Sequence, residues 1–124
     1  MVQRENNPLG FLLRSPIGVP TFDKWGCQFE GPFEQIDDLR MEQGIYTIWY
    51  KGLLGGIHIL LDVGESEDVY SRVRSHDRET DWKQESHGWP LLYSVCYTPG
   101  YSKDQRRALE QRLRLEGSPP CGDR

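Results

Sequence analysis

The sequence has few cysteines and no long apolar segment. Its three cysteines, Cys27, Cys96 and Cys121, are odd in number and widely spaced. They form neither a disulfide framework nor the paired Cys-x-x-Cys of a zinc site, so we expect reduced thiols. No stretch approaches the roughly 20 apolar residues that a membrane helix requires. Residues 1–7 have no apolar signal core, so we expect a cytoplasmic protein without a membrane partner.

The chain also lacks the basic excess that is typical of a non-specific nucleic-acid binder. Its formal net charge is −4 at pH 7, from 15 Lys and Arg against 19 Asp and Glu. Phosphate contacts need Lys and Arg, so this balance argues against non-specific binding. Residues 70–124 nevertheless carry ten basic and eight acidic side chains, whereas residues 1–69 carry five and eleven. The positive excess therefore lies in the second half of the chain.

The hydrophobic, charged and aromatic content of the sequence indicates one folded domain. Hydrophobic residues make up 36% of the 124 residues and charged residues 27%, with four Trp, six Tyr and four Phe. That is enough for a single modest core. Residues 1–22 are rich in turn formers and predict an irregular arm, and Cys27 to Phe33 predicts a short edge strand that Gly31-Pro32 breaks. We therefore expect residues 1–43 to be an arm and run-in packed on a domain over 44–122.

An antiparallel hairpin is expected at the start of that domain. The segment from Gly44 to Tyr50 is rich in β-branched and aromatic residues, and the segment from Ile57 to Val63 has an apolar residue at every odd position. The short glycine-rich linker between them favours a hairpin. Because the odd positions are expected in the core, Asp62 is predicted on the opposite face, with His58 and Leu60.

Helices and one more strand are expected in the second half. Ser66 has the chemistry of a helix N-cap and predicts a helix to about His76, with Val69 and Val73 facing inward. The elements predicted after it are a polar loop over Asp77–Pro90, a strand over Leu91–Thr98 and a helix that starts at a Ser102–Gln105 capping box and ends by Gly117, Pro119 and Pro120. The predicted fold is α+β, a small antiparallel sheet of about three strands flanked by helices.

Arg72 and His76 are candidate functional residues on the first predicted helix. They are four residues apart and project from one face. An arginine there can grip a phosphate and stabilise developing charge, or it can simply pair with Asp68, also four residues away. His76 can orient a water or phosphate oxygen near neutral pH, or help to close the helix end. The other histidines, His58 and His87, are too widely spaced to form a zinc site with it.

Glu110 and Tyr46 are the other candidates. Glu110 stands beside the predicted buried stripe of the last helix, and one carboxylate plus waters is a common way to hold Mg²⁺. A salt bridge to Arg106 or Arg114, each four residues away, is the ordinary alternative. Tyr46 lies mid-strand, where a tyrosine is commonly part of the core. Its hydroxyl has a pKa of about 10 and needs a nearby cation to act as a base.

Taken together, these residues resemble the GIY-YIG nuclease superfamily over residues 44–122. The matching features, in chain order, are Gly44-Ile45-Tyr46, Val63-Gly64, Arg72, His76 and Glu110. The resemblance implies hydrolysis of phosphodiester bonds of DNA, with structured or branched DNA among the substrates, and one divalent metal, Mg²⁺ or Mn²⁺. It implies that Glu110 is the metal ligand, Arg72 the transition-state stabiliser, Tyr46 the base or water-orienting hydroxyl, and His76 a helper near the nucleophile.

Two positions depart from the pattern of that superfamily. Asp62 stands where the family has its second tyrosine. Its carboxylate can ligate the metal with Glu110, serve as the base, or mark a site that has lost activity. Cys121 lies in the region where many members have an asparagine after proline, and it cannot reproduce the paired donor and acceptor of that amide.

Three functions remain open from the sequence: a metal-dependent endonuclease, an inactive relative that binds nucleic acid or protein, and an unrelated domain with an accidental motif. In a domain this small, specificity would need the N-terminal arm, a dimer partner or an unusually shaped substrate.

Overall fold

Five antiparallel strands form one sheet in the computed structural model, which describes residues 16–52 and 56–122. The strands in chain order are β1 (Thr21–Lys24), β2 (Cys27–Phe33), β3 (Gly44–Lys51), β4 (His58–Ser66) and β5 (Leu91–Tyr97). The helices are α1 (Val69–Arg74), α2 (Glu79–Glu85) and α3 (Lys103–Gly117), with a single 3₁₀ turn at Ile36–Asp38. The strand order across the sheet is β1-β2-β5-β3-β4.

The predicted fold, an α+β domain with about three strands, is wrong because the sheet has five. Both additional strands come from the segment before residue 44. β1 lies at the end of the segment predicted to be irregular, and it pairs with β2 from Thr21 opposite Glu30. β2 is not an edge strand, since β1 and β5 flank it. It runs through Gly31-Pro32, where a register shift between Glu30 and Phe33 accommodates a residue without an N–H donor.

The hairpin of β3 and β4 contains a β-bulge. Ile48 lies opposite Asp62 and Trp49 lies opposite Leu60, so Leu61 is an extra residue in β4. A bulge breaks the alternation of side chains between the two faces of a strand. The prediction that Asp62 shares a face with Leu60 is therefore wrong.

The bulge also changes the companions of Asp62. Leu61 packs in the same apolar cluster as Tyr46 and Ile48, whereas Val63 packs in the cluster on the other side of the sheet. Asp62 lies opposite Ile48 and so projects to the side of Tyr46. One extra residue thus brings the carboxylate to the side of the sheet that carries the predicted tyrosine.

The first helix and the loop after it also differ from the predictions. The N-cap of α1 is Asp68, whose carboxylate accepts from the Ser71 N–H at 3.1 Å, while Ser66 is the last residue of β4. The region predicted as a polar loop contains the helix α2. Trp82 on this helix is 1% exposed and anchors one side of it in the core. The final helix begins as predicted, with the Ser102–Gln105 capping box.

Each face of the sheet has its own apolar cluster. We call one side the α1–α2 face; its buried residues include Tyr46, Ile48, Leu61, Val69, Val73 and Trp82. We call the other side the aromatic face; it contains Phe29, Ile45, Val63 and Leu113, with Phe22 and Trp25 packed against them. Within the described ranges, no helix has the length and apolar character needed to cross a membrane.

The outer edge of β4 is closed by α3 and the segment after it. The Cys121 N–H donates to the Leu61 carbonyl at 3.0 Å, and the Arg114 guanidinium donates to the Val63 carbonyl. These contacts satisfy acceptors that an edge strand would otherwise expose. Because Arg114 and Glu110 are one turn apart on α3, the same packing brings Glu110 towards the α1–α2 face.

Candidate functional site

Tyr46 and His76 form a buried hydrogen-bonded pair on the α1–α2 face. The Tyr46 Oη lies 2.6 Å from the His76 Nε2, and the two residues are 2% and 6% exposed. The backbone N–H of Arg78 donates to the His76 Nδ1 at 3.0 Å. Nδ1 of the neutral ring is therefore the acceptor, and Nε2 carries the proton and donates to Tyr46. The hydroxyl proton of Tyr46 is left free to reach a third group.

The surroundings keep both members of this pair neutral at pH 7. The pKa of Tyr46 is raised to about 12, mainly by burial and also by the charge of Asp62, against the opposing effect of Arg72 and Arg78. The pKa of His76 is lowered to about 4, mainly by burial and also by the charges of Arg72 and Arg78. A tyrosine in this state is a hydrogen-bond donor rather than a base.

Gly64 makes room for the Tyr46 ring. The two residues are opposite each other in the β3–β4 hairpin. A Cβ atom added at Gly64 would lie 2.2 Å from both the Cζ and the Oη of Tyr46. The glycine of the Val63-Gly64 motif is therefore required by packing, because any side chain would displace the tyrosine from His76.

Arg72 lies at the exposed margin of the pair. Its Nη2 is 3.0 Å from the Oδ1 of Asp77, and its side chain is 38% exposed. The ordinary alternative, a pair with Asp68, does not form, since the Asp68 carboxylate caps α1. The same Asp77 oxygen is 3.2 Å from the His76 Nδ1. The structure thus brings Tyr46, Arg72 and His76 together.

Asp62 is fully buried, and both of its oxygens accept hydrogen bonds. Oδ1 accepts from the Val63 N–H at 2.8 Å and from the Arg114 Nη1 at 2.9 Å. Oδ2 accepts from the Arg78 Nε and the Trp82 Nε1, each at 2.8 Å. Two guanidinium groups offset the cost of burying this carboxylate. A carboxylate offers about four lone-pair positions, so none remains directed at a metal or a water.

Glu110 lies in a polar groove of about 410 Å³. The other lining residues are Arg78, Arg107, Gln111 and Arg114. Burial raises the pKa of Glu110, and the positive charge of Arg114 opposes that effect. The Arg78 guanidinium acts on the pKa of both Glu110 and Tyr46, so one cation lies between the two parts of the site.

The salt-bridge alternative for Glu110 does not form either. Arg106 pairs with Glu65 at 2.9 Å, and Arg114 pairs with Asp62. In the part of the chain that the structure describes, no cation lies within ion-pair distance of the Glu110 carboxylate. Residues 16–52 and 56–122 therefore give this half-buried carboxylate no ion-pair partner.

Glu110 fits a divalent metal as a single protein carboxylate. Residues 16–52 and 56–122 contain no group of three or more His, Cys, Asp and Glu side chains arranged to hold a metal ion. Mg²⁺ commonly binds through one or two carboxylates and retains several waters. Glu110 meets that requirement because it has no ion pair with the residues that the structure describes and borders a polar groove. Asp62 does not, because its oxygens are occupied.

Sequence reasoning missed Arg78 and Trp82, the two donors that share the Asp62 Oδ2. Both lie in the segment predicted to be a polar loop, and Arg78 is 16 residues from Asp62 along the chain. The available signal was Asp62 itself, since an aspartate inside an apolar strand requires buried donors. No local pattern indicates which arginine provides them.

The chain has no match among the family models, the curated proteins or the solved structures with which it was compared. The resemblance to GIY-YIG nucleases therefore rests on the ordered residues of the candidate site alone.

Proposed function

We propose that this protein is a divalent-metal-dependent endonuclease that hydrolyses phosphodiester bonds of DNA. One observation carries the proposal: Glu110 is a half-buried carboxylate without an ion-pair partner among the described residues, in a groove that three arginines line. Such a carboxylate suits a metal ion, and the arginines suit the phosphate that the metal would accompany. Arg78, which lines this groove, also donates its backbone N–H to His76 of the neutral Tyr46–His76 pair.

Each candidate residue has a distinct role in this proposal. Glu110 holds Mg²⁺ or Mn²⁺, which as a Lewis acid polarises a phosphoryl oxygen. Arg72 offsets the charge that develops on the phosphoryl group. Tyr46 accepts from the His76 Nε2–H and donates its own hydroxyl proton to a water or a phosphate oxygen.

The reaction consumes one water. Its oxygen forms a bond to phosphorus, the bridging P–O bond breaks, and a proton reaches the leaving oxygen. Because Tyr46 stays protonated near neutral pH, its hydroxyl orients the reacting oxygen and the proton of the attacking water passes to solvent.

A cleavage assay with supercoiled plasmid and branched DNA, in Mg²⁺ or Mn²⁺, tests this function. Glu110→Gln should lower the rate by at least about 100-fold, in line with the effect of removing one electrostatic contact to a transition state. Its melting temperature should stay unchanged, because Glu110 has no partner among the described residues. The matched control is Glu116→Gln on the same helix, where Glu116 pairs with the exposed Arg112. Equal cleavage by wild type and Glu110→Gln would contradict the proposal.

Arg72 is tested separately by Arg72→Ala. The control is Arg74→Ala, because Arg74 is on the same helix and lies over the Tyr70 ring. Cleavage should fall by orders of magnitude only in the first variant. A similar rate in both variants would show that Arg72 does no more than pair with Asp77.

Two observations favour a second function, that of an inactive relative that binds nucleic acid. Asp62, in the place of the family's second tyrosine, is enclosed by donors, and the pKa of Tyr46 is raised by burial to about 12. Wild-type protein that binds DNA in Ca²⁺ but cleaves none in Mg²⁺ or Mn²⁺ would establish this alternative.

A further inference from the structure

Arg78 connects the two parts of the candidate site. Its backbone N–H donates to the His76 Nδ1 at 3.0 Å, and its Nε donates to the Asp62 Oδ2 at 2.8 Å. Its side chain also lines the groove of Glu110. One residue therefore sets the tautomer of the Tyr46–His76 pair and places a cation beside Glu110.

Among the described residues, the guanidinium of Arg78 is hydrogen-bonded through its Nε atom alone. Asp62 engages Nε, and no hydrogen bond from the described residues reaches either Nη1 or Nη2. The side chain is 23% exposed, so the two Nη groups have access to the groove. A guanidinium presents its donors as a planar fork that matches two phosphate oxygens, a geometry that a lysine cannot reproduce.

Asp62 is itself fixed in position. Trp82 shares the Oδ2 atom with Arg78, and Arg114 and the Val63 N–H hold Oδ1. The carboxylate therefore acts as a rigid anchor for the Arg78 Nε. A tyrosine at this position would offer one phenolic oxygen, too few acceptors for the same set of donors.

We propose that Arg78, which lines the Glu110 groove, is a phosphate-binding arginine in addition to Arg72, and that Asp62 is the positioning residue that aims it. Arg72 would contact a phosphodiester from the Tyr46–His76 side, and Arg78 would contact it from the Glu110 side. The inference rests on the proposed function for its ligand class, a nucleic-acid phosphodiester. It assigns Asp62 a role in binding rather than in metal ligation or proton transfer.

Binding without cleavage is the first test. The probes are a fluorescein-labelled four-way DNA junction and a linear duplex in EDTA, followed by anisotropy over a series of salt concentrations. Arg78→Gln should weaken binding about tenfold. It should also reduce the magnitude of the slope of log K against log[salt] by about one, the value expected for the loss of one phosphate contact. The control is Lys83→Gln, which removes one positive charge from the neighbouring α2, where Lys83 pairs with Glu79. Its affinity and slope should remain those of wild type.

A second variant separates charge from position. Arg78→Lys keeps the positive charge and leaves Asp62 paired with Arg114, so the variant should fold. Its salt slope should match wild type, while the KM for DNA rises and kcat/KM falls, because an ammonium cannot present the fork. Asp62→Asn should raise KM in the same way, with Arg78 still present but no longer held by an ion pair. A purely structural role would lower the melting temperature and leave KM unchanged.

The outcomes separate this inference from the proposed function. If wild type cleaves DNA and Arg78→Gln keeps both its KM and its salt slope, the role of Arg78 is wrong and the nuclease stands. If wild type binds with an Arg78-dependent slope but cleaves nothing, hydrolysis is wrong and the role of Arg78 stands. Wild-type protein that does not bind either DNA overturns both.

Discussion

The two sides of the β3–β4 hairpin bury polar groups of different chemistry. On the aromatic face, the Trp49 Nε1 donates to both Thr47 Oγ1 and Ser94 Oγ at 2.8 Å, so a neutral network is satisfied within the sheet. On the α1–α2 face, the buried acceptor is the carboxylate of Asp62, held by two arginines from separate segments.

The two networks differ in the free energy needed to bury them. A neutral network in a core costs little once its partners are present, whereas a buried ion pair commonly stabilises no more than apolar residues of similar volume. The charged network is therefore poorly explained by stability alone. It lies beside the candidate site, and it fixes Arg78 and Arg114 where the proposed phosphate-binding groove would need cations.

The largest expected effect is on the charged side. Arg114→Met removes one partner of the buried Asp62 and leaves the Val63 carbonyl without its donor, so unfolding should become easier by about 3–5 kcal/mol. The control is Arg112→Met on the same helix, whose exposed guanidinium pairs with Glu116 and donates to the Trp25 carbonyl at 3.0 Å, contacts that together contribute about 1–2 kcal/mol. Urea unfolding at pH 7 measures both. Equal losses would mean that the buried network contributes no more than a surface pair.

A pH dependence should arise from His76 on the same side. Its pKa is about 4 in the folded protein and 6.5 when unperturbed. Between these values the unfolded chain binds a proton that the folded protein does not, so stability falls as the pH decreases through this window. At 1.36 kcal/mol per pKa unit, the loss is on the order of 3 kcal/mol.

Comparison with His76→Gln isolates this contribution, because the amide does not titrate. Glu110 has a raised pKa and acts in the opposite direction, but it is present in both proteins. Urea unfolding at several pH values from 4 to 7 should therefore show a steeper loss of stability with falling pH for wild type than for His76→Gln. Parallel curves would refute the assigned neutral state of His76.

Gly64→Ala should break the packing of Tyr46. A methyl group 2.2 Å from the ring forces the tyrosine away from His76, and overpacking of this kind typically costs about 1–3 kcal/mol. The control is Gly52→Ala, where the closest atom is the terminal methyl of Ile59 at 3.1 Å. Thermal unfolding should show a clear decrease for the first variant and little change for the second. Similar melting temperatures would contradict the close fit.

The smallest expected effect is the difference in stability loss between removing one indole N–H group and removing the other. Trp82→Phe removes a donor to a charged carboxylate, for which losses of about 1.5–3 kcal/mol are usual. Trp49→Phe removes a donor to two hydroxyl groups, for which about 0.5–1.5 kcal/mol is usual. Urea unfolding should rank Trp82→Phe as the more damaging change by about 1 kcal/mol. The reverse order would mean that the neutral network is the stronger of the two.

The sequence predicted the elements that carry strong local signals. The β-branched residues of β3 and the Ser102–Gln105 capping box each satisfy a rule that operates within a few residues. β1 has four residues and α2 has seven, and elements this short are stabilised by tertiary partners rather than by their own periodicity. Trp82 anchors α2 through contacts with residues that are distant along the chain, such as Asp62, so no short stretch of sequence reveals them.

The candidate site was predictable only through the resemblance. Tyr46 and His76 are 30 residues apart, and no pattern within the chain indicates that they meet. The sequence does not reveal the bulge at Leu61 either, because the apolar residues at the odd positions of β4 fit strict alternation. Asp62 is unusual within an apolar strand, yet its partners depend on how α2 and α3 pack.

Under the proposed nuclease function, Gly64 and Glu110 should come under different selection in a lineage that loses the activity. Substitution of Gly64 would still harm folding, so purifying selection would preserve it, together with the tyrosine that it accommodates. Glu110 has no partner among the described residues, and its replacement would carry no folding penalty. In descendants that keep the fold without the chemistry, Glu110 would therefore be the first site residue to drift, and the glycine among the last.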